Sequence, residues 1–485
     1  MMCFLYFLRS ALMLKCVYVF LLMGVRVHSP DLRDAIKILE SEGELICIKQ
    51  NLSPKFEIPA ALKLLDGGPA VLFENVQGYS FRIVGGICNS RRKLSLALKV
   101  PENKLHDLLI KAIDNPLPPI EVEDAPVKEV SESIDLRKLP ILTHYERDAG
   151  PYITCGVIIA KDVIEGFQNM SFHRMLVLDH ETLVLRVVPR HLYQMIKRAN
   201  SIGKPLPIAI VIGLHPAILL AAASSPPFKI DELHVANSLL NGSLTVTKCT
   251  HNEIFVPANA EMVIEAYIYP SKLADEGPFV DATGTYDIKR KQPIIKAIRL
   301  FRRRDAIYQA LLPASLEHRL LMGFHREALI KKYVSQVVPE VKDVRLTFGG
   351  CGWLHAVISI KKLSEGDGKN AIFAAFAAHP SLKHVIVVDD DVDINNLNDI
   401  EWAIATRFQA DKDLIVIHNA RGSSIDPSAN QEKLLTSKMG LDATRPLDKP
   451  IEHFIKAKIP NLDKIRDILK EDLHYVFNKT SRIYA

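Results

Sequence analysis

Alternation of polar and apolar residues marks the middle third of the chain as rich in β-strands. Six segments between residues 140 and 300 are short, apolar and rich in β-branched residues, and several of them alternate at a period of two. They read CGVIIAKD, MLVLD, TLVLRVV, IAIVIGL, SLTVTKC and VIEAYIY. This part of the chain is therefore predicted to form a β-rich domain.

The regions on either side mix helical and strand patterns. Residues 31 to about 114 contain an amphipathic helix, Leu32 to Glu40, and an apolar strand near Pro69 to Phe73. Beyond residue 304, two helical segments near Ser315 to Met322 and Arg326 to Ser335 lead into strand patterns that alternate with helical ones. Such alternation is typical of an α/β layer domain.

Proline-rich sequence separates the first two regions. The stretch NPLPPIEVEDAPVKEV predicts an extended connector, because proline fixes φ and interrupts helices. The fold class is therefore predicted to be α+β. The predicted order is an extension (1–30), an N-terminal α/β domain (31–125), a β-rich domain (126–305) and a C-terminal α/β domain (306–485) that ends in a helix, Asn461 to Phe477.

Composition and charge exclude several classes of protein. Of the 485 residues, 48% are hydrophobic and 24% are charged, which is usual for folded globular proteins and unlike collagen-like, coiled-coil or disordered chains. The 61 basic and 56 acidic residues leave a net charge of +5, which is too dilute for a nucleic-acid-binding surface. The run Arg302 to Arg304 is interpreted as a solvated helix face.

The cysteines and the N-terminus give opposite indications of compartment. Seven scattered cysteines without a CxxC pair favour neither a disulfide framework nor a zinc cluster, and so favour a reducing compartment, the cytoplasm. Against this, Arg9 and Lys15 precede an apolar run, Cys16 to Val25, as in a signal peptide. The run is too short to span a bilayer, and Met23 begins a stretch that reads as a soluble N-terminus. We therefore favour the interpretation that the start codon has been assigned too far upstream. No stable membrane insertion is expected.

The segment QNMSFHRMLVLDHETLVLRVVPRHL predicts an antiparallel hairpin with candidate chemistry at one end. Asn169 and Arg174 lie at the entry to one strand, and His191 follows the other, so a turn at Asp179 to Glu181 brings them close. An amide oxygen and an imidazole placed there could share a cation. The alternative is that His191 is a helix cap or a surface residue, which is the commoner role of such a histidine.

A carboxylate for the same cation follows the loop SSPPF. Glu232 would complete a mixed set of amide, imidazole and carboxylate ligands, which suits a hard divalent ion such as Mn²⁺ or Mg²⁺. Asp231 and Glu232 are equally ordinary residues for the first turn of a helix, and spacing alone favours that second interpretation.

Two further acids lie in DEGPFVDATGTYD. Glu276 and Asp281 flank a Gly-Pro-Phe turn, which would fix both carboxylates toward one cavity. Paired carboxylates near an arginine can differ in pKa, so that one holds charge while the other carries a proton. A solvated acidic loop is the alternative, and the apolar Phe279 and Val280 between the acids argue against simple exposure.

Taken together and in this order, these segments resemble the UbiD family of decarboxylases. The set comprises Asn-x-x-x-x-Arg, Pro-x-His, a glutamate after a proline loop, and Glu-Gly-Pro-Phe-x-acid followed by TGTYD. Later segments, VVDDDVDI, EWAIATRF and SKMGLDAT, are similar to family segments, so the resemblance covers residues 31–450. It implies a split-barrel-like middle domain that binds prenylated FMN and a C-terminal domain that mediates oligomerisation.

The resemblance also implies which residues hold the cofactor. Asn169, His191 and Glu232 would bind a divalent metal, Mn²⁺ or Mg²⁺, that bridges to the flavin phosphate, and K⁺ is a candidate second ion. Lys438 would contact that phosphate as a point charge. The full implied set of cofactor-binding residues is Asn169, Arg174, Arg190, His191, Glu232 and Lys438.

The implied catalytic residues are Arg174, Glu276 and Asp281. Arg174 would orient the substrate carboxylate and pair with Glu276, whose charge supports the modified flavin. Asp281 would be a general acid, protonated near neutral pH, that delivers a proton to the carbon vacated by CO₂. Many relatives carry glutamate at that position, and Ala314 and Ser315 replace an expected Gly-Gly.

The resemblance implies a decarboxylase of an α,β-unsaturated acid. EGPFVDATGTYD and LEHRLLMG are similar to the archaeal-type branch, which implies trans-anhydromevalonate 5-phosphate as substrate and isopentenyl phosphate as product. The alternatives are an aromatic acid, of the polyprenyl-hydroxybenzoate or hydroxybenzoate type, and a non-catalytic flavin-binding assembly subunit. Expected partners are a flavin prenyltransferase, which supplies the cofactor, and further copies of the chain in a dimer or hexamer.

Overall fold

The computed structural model describes residues 28–469. The apolar run Cys16 to Val25 lies outside the described residues, as does the end of the predicted terminal helix Asn461 to Phe477. Within residues 28–469, no helix is long and apolar enough to cross a membrane.

The N-terminal domain packs helices against a four-stranded sheet. An aspartate capping box at Asp31 and Asp34 begins the first helix, which buries Leu32, Ile36 and Leu39 on one face. The helices are α1 (Leu32–Ser41), α2 (Glu57–Leu64), α3 (Arg91–Leu98) and α4 (Leu105–Asp114). The strands are β1 (Leu45–Ile48), β2 (Ala70–Phe73) and β3 (Arg82–Gly85).

The middle domain is β-rich, as predicted. Its strands are β4 (Ile120–Glu121), β5 (Val130–Ser133), β6 (Tyr152–Ile153), β7 (Val157–Lys161), β8 (Gln168–Phe172), β9 (Met175–Val177), β10 (Thr182–Leu185), β11 (Leu206–Ile212), β12 (Thr245–Lys248), β13 (Phe255–Pro257), β14 (Met262–Glu276), β15 (Phe279–Val280), β16 (Tyr286–Asp287), β17 (Arg290–Arg302) and β18 (Ile307–Gln309). Its helices are α5 (His191–Ser201), α6 (Pro216–Ala223) and α7 (Glu232–Leu239).

Antiparallel pairing joins nine of these strands into one sheet. The order is β6-β9-β10-β17-β14-β11-β7-β8, with β5 paired to β17. The consecutive strands β8 and β9 stand near opposite ends of this order, so the connection between them, at residues 173–174, bridges the two ends of the sheet. Strands β15 and β16 form a separate two-stranded ribbon that carries the acidic loop.

The C-terminal domain is a five-stranded mixed sheet between helices. Its order is β19-β20-β21-β23-β22, with parallel pairs in the centre and antiparallel pairs at both edges. Its strands are β19 (Val341–Leu346), β20 (His355–Ile360), β21 (His384–Asp389), β22 (Leu414–Arg421) and β23 (Leu435–Ala443). Its helices are α8 (Leu316–Val334), α9 (Asp367–Ala378), α10 (Leu397–Arg407), α11 (Ala410–Asp413) and α12 (Leu462–Ile468).

Four short 3₁₀ helices complete the described secondary structure, and all are connectors. They are Glu102–Lys104, Pro126–Lys128, Leu136–Lys138 and Ile451–Phe454. The α+β class and the three-domain order agree with the sequence prediction.

Two strand pairings cross the predicted domain borders. Strand β4, inside the predicted connector, already pairs with β12 of the middle domain. Strand β18, which lies just beyond the predicted border at residue 305, pairs in parallel with β3 of the N-terminal sheet. Sequence patterns along the chain cannot reveal such distant pairing, since each strand is only two or three residues long.

Two local predictions were wrong. Arg302 to Arg304 are not a helix face: Arg302 ends strand β17 and bonds Glu132 at 2.7 Å, and Arg303 bonds Asp31 at 2.7 Å. The two helical segments near 315–335 are one helix, α8. The predicted break falls at Gly323, which has no side chain and so lets the backbone of Gly352 pack closely against the helix. This glycine is needed for close packing and does not end the helix.

Candidate active site

The predicted hairpin is present and aligns the site. Strands β9 and β10 pair antiparallel, with Leu183 opposite Val177, so the turn falls at residues 178–181. Asn169 does not share the entry to a strand with Arg174, because Asn169 lies within β8 and Arg174 in the link between β8 and β9. The link is fixed where Arg186 N donates to Arg174 O at 3.1 Å.

The guanidinium of Arg174 is held by carboxylates from the acidic loop. Its Nε donates to Glu276 Oε1 at 2.8 Å and its Nη2 to Glu276 Oε2 at 3.0 Å, a bidentate pair. Its Nη1 lies 3.4 Å from Asp281 Oδ2. The structure therefore brings together the three residues for which the sequence predicted catalytic roles.

A third carboxylate, Asp287, completes this cluster. Its Oδ2 accepts from Arg174 Nη2 at 3.1 Å and from Arg186 Nε at 3.3 Å, and Arg290 bonds its other oxygen. Burial raises the pKa of Asp287, but the hydrogen bond from Arg290 and the three arginine charges together bring it below its ordinary value. Three cations and three carboxylates thus balance one another in the cluster.

The pair between Arg174 and Glu276 is largely buried. Glu276 is fully buried, and Tyr152 donates its hydroxyl to Glu276 Oε1 at 3.3 Å. The ring of Phe279, between the two acids, packs 4.1 Å from the Tyr152 ring and 4.8 Å from the Arg174 guanidinium. Burial lowers the pKa of Arg174, but the Glu276 hydrogen bonds and the carboxylate charges raise it by more than burial lowers it. The net pKa is raised, so the guanidinium stays charged.

Asp281 is the accessible acid of the cluster. Its side chain is 25% exposed, and a turn closed by Gly284 N to Asp281 O at 2.8 Å presents it. His318 lies close by: burial lowers the pKa of this imidazole, and the charge of Asp281 opposes that shift. His318 Nδ1 accepts from Ala314 N at 3.1 Å, so its neutral form carries the proton on Nε2.

Asn169 and Glu232 meet in the interior. Asn169 Nδ2 donates to Glu232 Oε1 at 2.8 Å, and Met170 N donates to Glu232 Oε2 at 2.6 Å. The helix-start role at α7 belongs to Asp231, which caps Leu233 N at 2.8 Å. Glu232 is 1% exposed, and burial raises its pKa well above the ordinary value.

The surroundings of Glu232 fit a cation. Among the described residues, both of its oxygens accept only from neutral donors, and a buried carboxylate without a positive partner is unfavourable by several kcal/mol. Asn169 turns its amide nitrogen toward the carboxylate, so metal binding by the pair requires a flip that brings the amide oxygen round. Among residues 28–469, no group of three His, Cys, Asp or Glu side chains forms a metal site. The predicted set contains only two such side chains, His191 and Glu232, because its third member, Asn169, is an amide.

His191 approaches the same region through Phe228. Its ring centroid lies 5.3 Å from that of Phe228, in the loop just before Glu232, and Phe228 lies 5.3 Å from Phe167, just before β8. Within the described chain, the ring nitrogens of His191 have no hydrogen-bond partner. Burial and the neighbouring Arg190 lower the pKa of His191, which favours the neutral imidazole that a metal requires.

The remaining predicted cofactor residues differ in their freedom to bind. The guanidinium of Arg190 stacks over the Trp353 ring, 5.6 Å from its centroid. Lys438, on β23, donates to the carbonyl oxygens of Pro380 at 2.6 Å and Leu382 at 2.5 Å, and is 5% exposed. Its ammonium is thus engaged within the C-terminal domain, and burial lowers its pKa to about 8.

Sequence reasoning missed several residues that shape the site. Asp287 ends the TGTYD segment and His318 lies in LEHRLLMG, so the motifs contained them but gave them no role. Tyr152 lies 124 residues before Glu276, and no local signal connects them.

Family models and overall similarity define the class. Three models describe the N-terminal, Rift-related and C-terminal domains of 3-octaprenyl-4-hydroxybenzoate carboxy-lyase, UbiD, and match residues 36–113, 120–316 and 319–443. The chain belongs to the UbiD family of carboxy-lyases, which confirms the resemblance seen in the sequence.

The curated relatives are more specific. The chain is 47% identical over 412 residues to the anhydromevalonate phosphate decarboxylase of Methanocaldococcus jannaschii, covering 84% of this chain and 96% of the relative. It is 45% identical over 406 residues to that of Methanothermobacter thermautotrophicus, covering 83% and 95%.

Two solved structures of one enzyme have the same fold as this chain, and each contains a flavin. The UbiD-class enzyme HmfF from Pelotomaculum thermopropionicum, in complex with FMN, has a TM-score of 0.88 at 42% identity and covers 90% of this chain and 98% of its own. An evolved dimeric form of that enzyme, in complex with prFMN, has a TM-score of 0.84 at 40% identity and covers 90% and 98%.

Proposed function

We propose that this chain is a prenylated-FMN-dependent decarboxylase that converts trans-anhydromevalonate 5-phosphate to isopentenyl phosphate and CO₂. The observation that carries the proposal is the buried Arg174–Glu276 pair with the accessible Asp281 beside it. In this arrangement the Arg174 cation can bind the substrate carboxylate, and the Asp281 acid can supply a proton. Decarboxylation in which a proton replaces CO₂ needs both functions.

The choice of substrate rests on similarity. Identities of 45% and 47% to anhydromevalonate phosphate decarboxylases, over most of both chains, favour a small phosphorylated enoic acid. A decarboxylase of an aromatic acid is the runner-up and is an outcome of the tests below.

Arg174 orients the substrate in this proposal. Three carboxylates hold its guanidinium in place, and the Phe279 ring lies against it. A substrate carboxylate that approaches Arg174 competes with Asp281, since the 3.4 Å contact between Arg174 and Asp281 is the longest of those that hold the guanidinium. Binding therefore frees Asp281 from the cation.

Asp281 then acts as the general acid. Freed from Arg174, the accessible carboxyl group of Asp281 serves as the proton donor. It delivers that proton to the carbon that loses CO₂, and the neutral His318 beside it can donate a hydrogen bond from Nε2 to the resulting carboxylate. When bound, prenylated FMN supplies the electron-accepting dipole that makes loss of CO₂ feasible.

Asn169, His191 and Glu232 are proposed to hold a divalent ion, Mn²⁺ or Mg²⁺, against the flavin phosphate. A cation would neutralise the buried Glu232 carboxylate, which has only neutral partners in the described chain. Arg190 and Lys438 stay proposed cofactor contacts, and K⁺ stays a candidate second ion. Cytoplasmic location, a flavin prenyltransferase as supplier and a homo-oligomer are proposed with the same function.

Expression with and without a flavin prenyltransferase tests the cofactor. Protein made with the prenyltransferase is expected to release CO₂ from the phosphorylated acid, and protein that holds only FMN is expected to be inactive, because unmodified FMN lacks the dipole. Equal rates from the two preparations would exclude the proposed chemistry.

A further inference from the structure

Residues 144–149, which we call the 144–149 loop, lie against the acidic loop of the site. Ala149 N donates to Pro278 O at 3.1 Å, and Pro278 lies between Glu276 and Asp281. The backbone between the two acids is therefore bonded to a second segment of the chain as well as to its own ribbon.

The same loop contacts the other strand of that ribbon. Arg147 N donates to the Tyr286 hydroxyl at 3.1 Å, and the Arg147 guanidinium lies 4.8 Å from the centroid of the Tyr286 ring. Tyr286 precedes Asp287 on β16, and β16 pairs with β15, which ends just before Asp281. The 144–149 loop thus contacts both sides of the ribbon that presents these carboxylates to Arg174.

A tyrosine of the loop holds the segment that leads into helix α8. Tyr145 donates its hydroxyl to Pro313 O at 2.8 Å. The next residue, Ala314, donates its N–H to Nδ1 of His318, the histidine beside Asp281. The loop therefore joins the acidic loop to the backbone that orients His318.

Asp148 fixes the 144–149 loop from the inside. Its Oδ2 accepts from His144 N at 3.2 Å and from Tyr145 N at 2.9 Å, and its side chain is fully buried. Burial raises the pKa of Asp148, and these two amides, the Val280 amide and the Arg174 charge oppose that rise. His144 Nδ1 lies 3.9 Å from the same oxygen, which is too far for a hydrogen bond. Asp148 therefore bonds backbone N–H groups of its own loop, as side chains that fix turns do.

We propose that the 144–149 loop sets the position of the proton donor Asp281, with Asp148 and Tyr145 as positioning residues for the decarboxylation. The inference rests on the proposed function, in which Asp281 leaves Arg174 and delivers a proton. An acid released from its cation keeps its place only if the backbone around it is held. Proton transfer requires the two heavy atoms to lie within about 2.6 to 3.2 Å, and a displacement of about 1 Å can lower a rate by ~10²-fold.

Variants of the two positioning residues test the proposal in flavin-loaded protein. Asp148→Ala removes the acceptor of both amides, and we expect it to lower kcat by ~10²-fold because Asp281 is displaced. Asp148→Asn can still accept both amides through its side-chain oxygen and should recover part of that loss. Tyr145→Phe removes the hydrogen bond to Pro313 O and should lower kcat by ~3- to 10-fold.

Two kinetic readouts distinguish positioning from a general loss of structure. KM should stay within about threefold of wild type, because Arg174 keeps its bidentate partner Glu276. The ratio of kcat in H₂O to kcat in D₂O should rise in Asp148→Ala and Tyr145→Phe, since a displaced donor slows proton transfer in particular. Tyr333→Phe is the matched control, because Tyr333 is exposed near the far end of α8, and it should change neither kcat nor this ratio.

Amide hydrogen exchange tests the loop without turnover. Residues 276–287 should exchange faster in Asp148→Ala than in wild type, because the hydrogen bond from Ala149 N to Pro278 O is weakened. Unchanged exchange in this segment, or wild-type kcat in both Asp148→Ala and Tyr145→Phe, would overturn the proposal. A fall in kcat with an unchanged isotope ratio, or a loss of flavin from either variant, would also overturn it, since the loop would then have a structural or cofactor-binding role.

The proposal and the proposed function fail separately. If wild type releases CO₂ from the phosphorylated acid and the variants give any of these contrary results, the decarboxylase assignment stands and the role of the loop is wrong. If the exchange result is obtained and wild type releases no CO₂ from any acid offered, the loop holds the acids in place and the function is wrong. Should Asp148→Ala fail to fold, the kcat and isotope ratio of Tyr145→Phe decide by the same criteria.

Discussion

Replacing Glu232 by glutamine separates a metal ligand from a structural carboxylate. Glutamine keeps the shape of the side chain and can still accept from Met170 N, now 2.6 Å from Glu232 Oε2. It removes the charge that makes the carboxylate a strong ligand and that has no cationic partner in the described interior. We therefore expect metal-free Glu232→Gln to unfold at the wild-type temperature or slightly above it.

The difference should emerge when metal is added. At a free Mn²⁺ concentration 100 times its Kd, binding to the native state alone stabilises it by ~2.7 kcal/mol. In a domain of 150 to 250 residues this corresponds to a rise in Tm of roughly 5 to 11 °C. Wild type should show this rise after EDTA treatment and addition of Mn²⁺, and Glu232→Gln should show little of it.

Thermal unfolding followed by circular dichroism, with Mn²⁺ and flavin content measured on the same samples, provides the assay. Glu253→Gln is the matched control, because Glu253 is an exposed glutamate of the same domain that pairs with Lys248. An unchanged Mn²⁺-dependent rise in Glu232→Gln would refute the metal-ligand role. A large loss of stability without metal would show a structural role in its place.

Three further predictions follow from single residues. Asp281→Asn should keep its flavin and lose ~10²- to 10⁴-fold in CO₂ release, the usual loss of a general acid; near-native turnover would move the proton donor elsewhere. Burial raises the pKa of Glu317 to about 7, so the native state binds a proton more tightly than the unfolded chain. Stability should therefore fall by up to about 3 kcal/mol as pH rises from about 4.5 to about 7, and Glu317→Gln should show a flatter Tm profile; equal slopes would contradict this. Ala314 has a φ of +59°, so Ala314→Gly should raise the unfolding free energy by ~0.5 to 1 kcal/mol, and a decrease in urea unfolding would count against that strain.

The parts of the site that lie close in sequence were predictable. Alternation gave strands β9 and β10, and their hairpin followed from the short polar turn between them. The apolar Phe279 between Glu276 and Asp281 correctly indicated that this loop is not a solvated one, since Phe279 is 3% exposed.

The remainder depends on contacts that sequence patterns do not encode. Trp353 and Arg190 lie 163 positions apart in the numbering, and only the packing of two domains brings them together. Strand β23 was not predicted, because SKMGLDAT was interpreted as a motif and its period-two burial is partial. Asn169 was expected to share a strand entry with Arg174, but the curvature of a nine-stranded sheet decides where β8 and β9 lie.

Competition between substrates, in deuterated solvent, reports on substrate choice and on proton transfer in one experiment. Flavin-loaded protein would receive trans-anhydromevalonate 5-phosphate, its dephosphorylated form and 4-hydroxybenzoate, with CO₂ release and deuterium incorporation measured for each. We predict that the phosphorylated acid reacts at least ~10²-fold faster than the other two, because a site that selects phosphate leaves its polar groups unpaired when the phosphate is absent. One deuteron should enter at the carbon that loses CO₂. Faster reaction of the aromatic acid, or equal reaction of the dephosphorylated acid, would exclude trans-anhydromevalonate 5-phosphate as the preferred substrate.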